Sequence, residues 1–343
     1  MFKHRWTLIT AVLAVAAIIV GGLLWLKPQA PAPQPVKLRF ASTLFFGEML
    51  SFVAYDKGFF REQGLEIELS HNKAGWQSLK QLFEGQVDVA TVAQLPVVYS
   101  AIDRSKYTKV PAGDFAVVAD LTIANRLQAG VGRRDRGING PADLRGKTIG
   151  LPRGSTADFF VDSMLRRHGL SEAEVTLVNL DVDKQLQAIT NGDVDAVLGW
   201  QPHTNHALKA LGDNGVLLEV GYRYPNGWLL VFMKDYLRAH PDVAERYLRA
   251  IAKAEDYVNA NPLASQQILA KHLKMDLATV QESIDDVGFK LSMSETLLST
   301  MDEQARWAVR RGLAKDAPLP NFRDYFDEGP LRKVKPQAIT VIQ

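Results

Sequence analysis

Asp-Leu-Arg-Gly-Lys-Thr-Ile-Gly-Leu-Pro-Arg-Gly-Ser-Thr-Ala-Asp-Phe-Phe, residues 143–160, is the stretch that decides the fold. Its pattern predicts a loop, a buried strand over 148–151, a glycine-bearing turn and then a helix. A helix start leaves backbone N–H groups unpaired and carries a partial positive charge. Ser155 or Thr156 can cap the helix, and Gly154 lets a ligand approach the backbone. Either this is an ordinary capped helix, or it forms a pocket for a carboxylate, sulfonate, phosphate or nitrate.

The composition is that of a globular protein with room for two domains. The chain has 343 residues, of which 47% are hydrophobic and 23% charged, and its net charge is +2. This small charge gives no field that would attract a polyanion, so we expect no nucleic-acid partner. The chain has no cysteine, which excludes disulfides, thiolate metal sites, cysteine nucleophiles and a lipid-modified N-terminal cysteine.

The N-terminus predicts export from the cytoplasm. Lys3, His4 and Arg5 precede an uncharged apolar run over residues 6–26, and this combination is an export signal. Residues 1–27 are therefore either a cleaved signal peptide or a membrane anchor, since the run is long enough to span a bilayer. Residues 28–35 are rich in proline and predict an extended linker. We expect a periplasmic protein, either secreted or tethered to the inner membrane.

Alternating strands and helices predict an α/β fold with two lobes. Strands over 37–42 and 66–69, and the segment 85–90 that turns back into a strand, form a parallel β-α-β-α-β unit. A related pattern, glycine followed by Val-Asp and an apolar strand, occurs at residues 85–90 and 192–197. We interpret its aspartates as fixing the turn through side-chain-to-backbone bonds. Residues 36–126 plus 226–330 are predicted to form lobe one, and residues 127–225 to form lobe two.

The strand over 228–233 is predicted to return the chain to lobe one. Beyond it the pattern predicts only helices, over 241–259, 264–273, 277–285 and 294–311. The segment after Glu328 is expected to be a loosely held tail. Ser42 and Thr43 end the first strand, where ligands bind in open α/β sheets, although these residues could instead cap the next helix.

Several motifs, taken in order, resemble those of one family. They are residues 54–65 (Ala-Tyr-Asp-Lys-Gly-Phe-Phe-Arg-Glu-Gln-Gly-Leu), 85–90, 143–150, Gly154-Ser155-Thr156, and 192–197 with Trp200-Gln201-Pro202-His203. The family is the solute-binding proteins of ABC importers for nitrate, sulfonates, taurine and thiamine-precursor pyrimidines. The resemblance covers about residues 36–261. It implies a hinged, two-lobed type II periplasmic-binding-protein fold that closes on a small molecule and presents it to a permease.

The resemblance also implies which residues contact the ligand. They are Ser42, Thr43 and Gln94 in lobe one and Gly154, Ser155, Thr156 and Trp200 in lobe two, with Trp76, Asn125 and Trp228 as further candidates. The implied ligand is a small anionic or polar organic solute, and the implied partners are ABC permease subunits. We expect a monomer without cofactor, metal or enzymatic activity. Phe45-Phe46 makes the cleft mouth more apolar than a bare nitrate or sulfonate needs.

Two other functions fit the same fold. One is an enzyme of the pyrimidine-precursor synthase or dehydratase type, which the missing cysteines and the export signal argue against. His203 and His206 could form a metal or acid/base pair, but histidines at this spacing are more often polar residues of a helix surface. The other is an anchored sensor that reports occupancy of the cleft to a partner.

Overall fold

The computed structural model describes residues 35–110, 113–124, 128–219, 226–285, 287–312 and 318–342. The predicted leader and all but the last residue of the linker lie outside these ranges. Within them, no helix combines the length and apolar character needed to cross a membrane.

The described residues form strands and helices that alternate over most of the chain. The strands are β1 Val36–Thr43, β2 Leu65–Asn72, β3 Val89–Ala93, β4 Phe115–Ala124, β5 Gln128–Arg133, β6 Thr148–Leu151, β7 Thr176–Asn179, β8 Ala196–Trp200, β9 Gly215–Leu218, β10 Trp228–Met233, β11 Val287–Ser294 and β12 Ile339–Thr340. The helices are α1 Met49–Asp56, α2 Phe59–Glu62, α3 Gly75–Phe83, α4 Gln94–Ile102, α5 Thr156–Arg167, α6 Val182–Asn191, α7 His203–Leu211, α8 Lys234–Ala239, α9 Val243–Ala260, α10 Pro262–Leu273, α11 Leu277–Ile284, α12 Glu295–Arg310 and α13 Gly329–Val334.

Two sheets carry the fold. The larger has the strand order β12-β11-β4-β10-β3-β1-β2, and the smaller has the order β7-β6-β8-β5-β9. In the larger sheet β1 runs parallel to β2 and β3, and in the smaller β6 runs parallel to β7 and β8. The predicted α/β class is therefore confirmed. The predicted return of residues 228–233 is confirmed too, because β10 lies between β3 and β4 of the larger sheet.

Asp88 and Asp195 hold equivalent positions in the two sheets. Asp88 Oδ2 accepts the backbone N–H of Arg39 on β1 at 2.8 Å. Asp195 Oδ2 accepts the backbone N–H of Thr148 on β6 at 2.9 Å. Each aspartate N–H donates in return to the carbonyl of the same residue at 2.9 Å. The side-chain-to-backbone role is confirmed, but the bond reaches a neighbouring strand and not the local turn.

Helices cover both faces of each sheet. One face of the larger sheet packs on α1 and α9, where Tyr247 is fully buried, and the other packs on α3, α4 and α12. Strands buried on both faces are apolar along their whole length, as β10 shows with Trp-Leu-Leu-Val-Phe-Met. In the smaller sheet, α5 contributes to the core on one face, and α6 and α7 contribute to the core on the other.

Two predictions for the C-terminal part are wrong. Residues 287–294 form β11, which pairs antiparallel with β4, although only helices were predicted there. The apolar residues Val287, Phe289, Leu291 and Met293 alternate along it, which is the period of a strand. The tail after Glu328 is not loose, because Leu331 is fully buried and β12 pairs with β11.

Candidate ligand-binding site

A cleft enclosing about 600 Å³ of empty space, part of it open to solvent, lies where strand ends of the two sheets meet. The sixteen lining residues are Thr43, Phe45, Lys73, Ala74, Gly75, Trp76, Ala93, Pro96, Thr122, Gln128, Ser155, Thr156, Trp200, Asn226, Gly227 and Trp228.

The start of α5 forms one side of the cleft, and its local structure confirms the prediction for residues 148–160. Strand β6 ends at Leu151, and Ser155 caps α5 by accepting the backbone N–H of Ala157 at 3.2 Å. Thr156 is 3% exposed, and its Oγ1 has no hydrogen-bond partner among the described residues. Leaving a buried hydroxyl unpaired costs about 1–3 kcal/mol, so a ligand oxygen here would be stabilised.

Two further helix starts, those of α3 and α4, reach the cleft from the larger sheet. Their N-cap residues are Ala74 and Ala93, which offer no side-chain acceptor to the first N–H groups. Gly75 begins α3 in close contact with β3, since a Cβ there would lie 2.8 Å from Val92 Cγ2. Because helix starts carry partial positive charge, three of them together favour an anion.

Lys73 is the one lining residue, of those described, that carries a formal charge. Its Nζ lies 3.4 Å from Oδ2 of Asp183, and the lysine side chain is 80% exposed. A pair this exposed is weak, so the lysine remains able to turn towards an anion in the cleft.

Aromatic side chains form much of the remaining wall. Three of the four tryptophans among the described residues, Trp76, Trp200 and Trp228, line the cleft. Trp76 stacks on Tyr107 with ring centroids 6.2 Å apart, and Trp228 packs on Phe45 at 4.8 Å. Trp228 also lies directly over Gly47, where a Cβ would come within 2.5 Å of its Cγ. These contacts hold the rings in place before any ligand binds.

Two buried carboxyl groups support the floor of the cleft from behind. Glu48 Oε1 accepts the backbone N–H of Thr43 at 3.0 Å, and Asp120 Oδ1 accepts that of Trp228 at 2.7 Å. Burial raises the pKa of Glu48 and the pKa of Asp120 to about 7. Neither residue is among those lining the cleft, and both position backbone that does line it.

Six of the ten predicted site residues line the cleft: Thr43, Trp76, Ser155, Thr156, Trp200 and Trp228. Ser42 Oγ donates to the carbonyl of Ser70 at 3.0 Å and lies 2.8 Å from Nδ1 of His71. Gln94 Oε1 accepts the backbone N–H of Gly227.

The other two predicted residues are Gly154 and Asn125. The Gly154 N–H donates to Asp158 at 2.5 Å, and its carbonyl accepts the Tyr107 hydroxyl at 3.1 Å. Gly154 lines a neighbouring pocket instead. Asn125 lies outside the described residues.

Sequence reasoning did not name four polar lining residues, which are Lys73, Thr122, Gln128 and Asn226. Lys73 follows β2 directly and Gln128 begins β5, so the rule that ligands bind at strand ends could have found Lys73. Thr122 lies within β4, where no local signal marks a residue that faces a ligand.

His203 and His206 are not part of the cleft. His203 begins α7, and burial, together with the nearby His206, lowers its pKa to about 4. The imidazole is therefore neutral at pH 7. No cluster of three His, Asp or Glu side chains that could hold a metal occurs in the described ranges.

Comparison with known proteins identifies the family of this chain. A family model described as "NMT1/THI5 like" matches residues 48–265, well over half of the chain. The chain belongs to the NMT1/THI5-like family. The resemblance identified from the motifs is thereby confirmed.

Relatives of this NMT1/THI5-like chain include both binding proteins and an enzyme. The taurine-binding periplasmic protein of Escherichia coli (strain K12) is 26% identical over 212 residues, which are 60% of this chain and 62% of that protein. A 4-amino-5-hydroxymethyl-2-methylpyrimidine phosphate synthase of Aspergillus parasiticus is 24% identical over 228 residues, 62% of this chain and 64% of that protein.

A solved structure confirms the predicted fold type. The alkanesulfonate-binding protein SsuA from Xanthomonas axonopodis pv. citri, bound to MOPS, aligns with a TM-score of 0.71. The alignment covers 86% of this chain and 99% of that one at 18% identity. At this identity the likeness shows a periplasmic-binding-protein fold and does not identify a ligand.

Proposed function

We propose that this chain binds a small anionic organic solute outside the cytoplasm and delivers it to the permease of an ABC import system. The observation that carries the proposal is the cleft, in which the starts of α3, α4 and α5 meet around the unpaired hydroxyl of Thr156. Helix starts and hydroxyls are the groups that bind carboxylate, sulfonate and similar anions. Relatives that bind taurine or alkanesulfonates support a role in transport.

The proposal includes two hinged lobes, residues 36–126 plus 226–330 and residues 127–225. In sequence, the strands β5 to β9 of the smaller sheet lie between β4 and β10 of the larger sheet. Arg311 follows α12 and contacts Glu172, and its Nη1 lies 3.4 Å from Oδ1 of Asp162. Opening would break these contacts, whereas a bound ligand would favour closure by adding contacts from the second lobe.

The proposed setting is the periplasm, with ABC permease subunits as partners and a monomeric chain. Residues 1–27 would direct export and then either be removed or remain as an anchor. An anchor would keep the chain close to its permease and so raise the effective concentration.

Binding is favoured over catalysis by the chemistry of the cleft. The described lining residues include neither histidine nor carboxylate, which are the usual general acids and bases. The synthase relative is the reason to test catalysis directly. His203→Ala should leave ligand affinity unchanged, because His203 lies outside the described lining. If the wild-type chain turns a substrate over and His203→Ala does not, the chain is an enzyme.

Small-angle X-ray scattering of the full chain in a non-ionic detergent tests the proposal. The radius of gyration should fall when a bound solute is added from a panel of sulfonates, carboxylates, nitrate, amino acids and pyrimidines. If no member binds or compacts the protein, the proposed function is wrong.

A further inference from the structure

The walls and the charge of the cleft are suited to different parts of one ligand. We infer that the cleft selects an anion whose body is a flat aromatic ring and excludes ligands that carry an ammonium group. This inference rests on the proposed function and specifies the class of solute.

The aromatic part of the inference rests on the arrangement of Phe45, Trp76, Trp200 and Trp228 around the cleft. Trp228 is 4% exposed and fixed between Phe45 and Gly47, and Trp76 is supported by Tyr107. Rings that are already held in place lose little entropy when a ligand binds between them. A planar ring can stack on such walls or meet them edge-on, which a short alkyl chain cannot do.

The anionic part rests on three helix starts and Thr156. The N-cap Ala74 offers no side-chain acceptor to the first N–H groups of α3. The start of α4 reaches the cleft through Ala93 and Pro96 and adds the positive end of its dipole. Thr156 places a buried, unpaired hydroxyl at the start of α5. Nitrate could use these donors, but it would leave the aromatic walls of the cleft uncovered.

The exclusion of ammonium rests on the absence of a carboxylate from the described lining. The buried carboxyl groups next to lining residues do not line the cleft themselves. Glu48 and Asp120 accept the backbone N–H groups of Thr43 and Trp228, and Asp158 accepts that of Gly154. A ligand ammonium would therefore be desolvated without a counter-ion, which is costly. It would also lie close to Lys73 and to three positive helix ends.

Three matched ligand pairs test the inference by isothermal titration calorimetry on the full chain in a non-ionic detergent. Benzenesulfonate should bind about tenfold more tightly than neutral benzenesulfonamide, because bonds to a charged acceptor are stronger. Benzenesulfonate should bind about 2- to 13-fold more tightly than cyclohexanesulfonate, which has the same carbon count but no π-system. 1-Propanesulfonate should bind at least about tenfold more tightly than taurine, whose ammonium replaces a methyl group.

The variant Trp200→Leu tests whether the aromatic wall causes the preference for an aromatic sulfonate. In Trp200→Leu, the ratio of benzenesulfonate affinity to 1-propanesulfonate affinity should fall by about 2- to 13-fold. The inference is overturned if taurine binds as tightly as 1-propanesulfonate, if cyclohexanesulfonate or benzenesulfonamide matches benzenesulfonate, or if the Trp200→Leu ratio does not change. In each of these cases the binding function stands. If none of these solutes, nor any member of the scattering panel, binds at all, the proposed function itself fails.

Discussion

Thr156→Val should separate ligand binding from stability. The side chains have nearly the same shape, and Thr156 is 3% exposed with an Oγ1 that has no described partner. Removing an unpaired buried hydroxyl should leave the free energy of unfolding unchanged or raise it by up to about 3 kcal/mol. A hydrogen bond to a charged ligand contributes about 1.5–3 kcal/mol. The dissociation constant should therefore rise by about 10- to 150-fold.

Calorimetry with the tightest sulfonate of the matched pairs, together with thermal unfolding, measures both effects. The control is Thr204→Val on α7, because Thr204 is fully buried, its Oγ1 is also unpaired, and it does not line the cleft. Thr204→Val should bind the sulfonate with wild-type affinity. The reasoning is refuted if Thr156→Val is folded and binds the sulfonate within about twofold of the wild-type affinity. Loss of a hydrogen bond to a charged ligand would weaken binding by more than twofold.

Three further variants test residues that hold the cleft in its shape. Arg311→Ala should enlarge the radius of gyration without ligand, because it removes the contacts with Asp162 and Glu172; Arg310→Ala, an exposed neighbour, should not. Burial raises the pKa of Glu48 from 4.5 to about 7, so only the unfolded state is ionised between these values and stability falls as pH rises through them. In Glu48→Gln, the free energy of unfolding measured with urea should fall less steeply between these pH values than in the wild type. An unchanged slope against pH would contradict the raised pKa of Glu48. Gly75→Ala should lower the free energy of unfolding by about 1–3 kcal/mol because its Cβ would lie 2.8 Å from Val92 Cγ2, whereas Gly140→Ala, with open space around it, should be neutral.

Short-range signals explain what could be predicted from the sequence. The apolar run over 148–151, the glycine turn and Ser155 lie next to one another, so β6 and the capped α5 follow from local rules. The starts of α3 and α4 carry no such signal, since Ala74 and Ala93 are not capping residues. Their approach to the cleft depends on how β2 and β3 are placed in the sheet.

Long-range pairing explains what was missed. Strand β11 lies in a region of helices, and its place beside β4 joins residues far apart in sequence. Thr122 reaches the cleft only because β4 runs next to β10. Ser42 was interpreted as a hydrogen-bond donor to the ligand, but its hydroxyl donates to the carbonyl of Ser70 on β2. This partner can be recognised only once it is known that β2 lies next to β1.

Anomalous diffraction from crystals of the chain with 4-bromobenzenesulfonate locates the ring and the anion in one experiment. We predict a bromine peak among Trp76, Trp200 and Trp228, with sulfonate oxygens within hydrogen-bond distance of Thr156 Oγ1 and the starts of α3 and α4. A bromine peak outside the cleft, or a sulfonate directed away from these helix starts, would contradict the proposal.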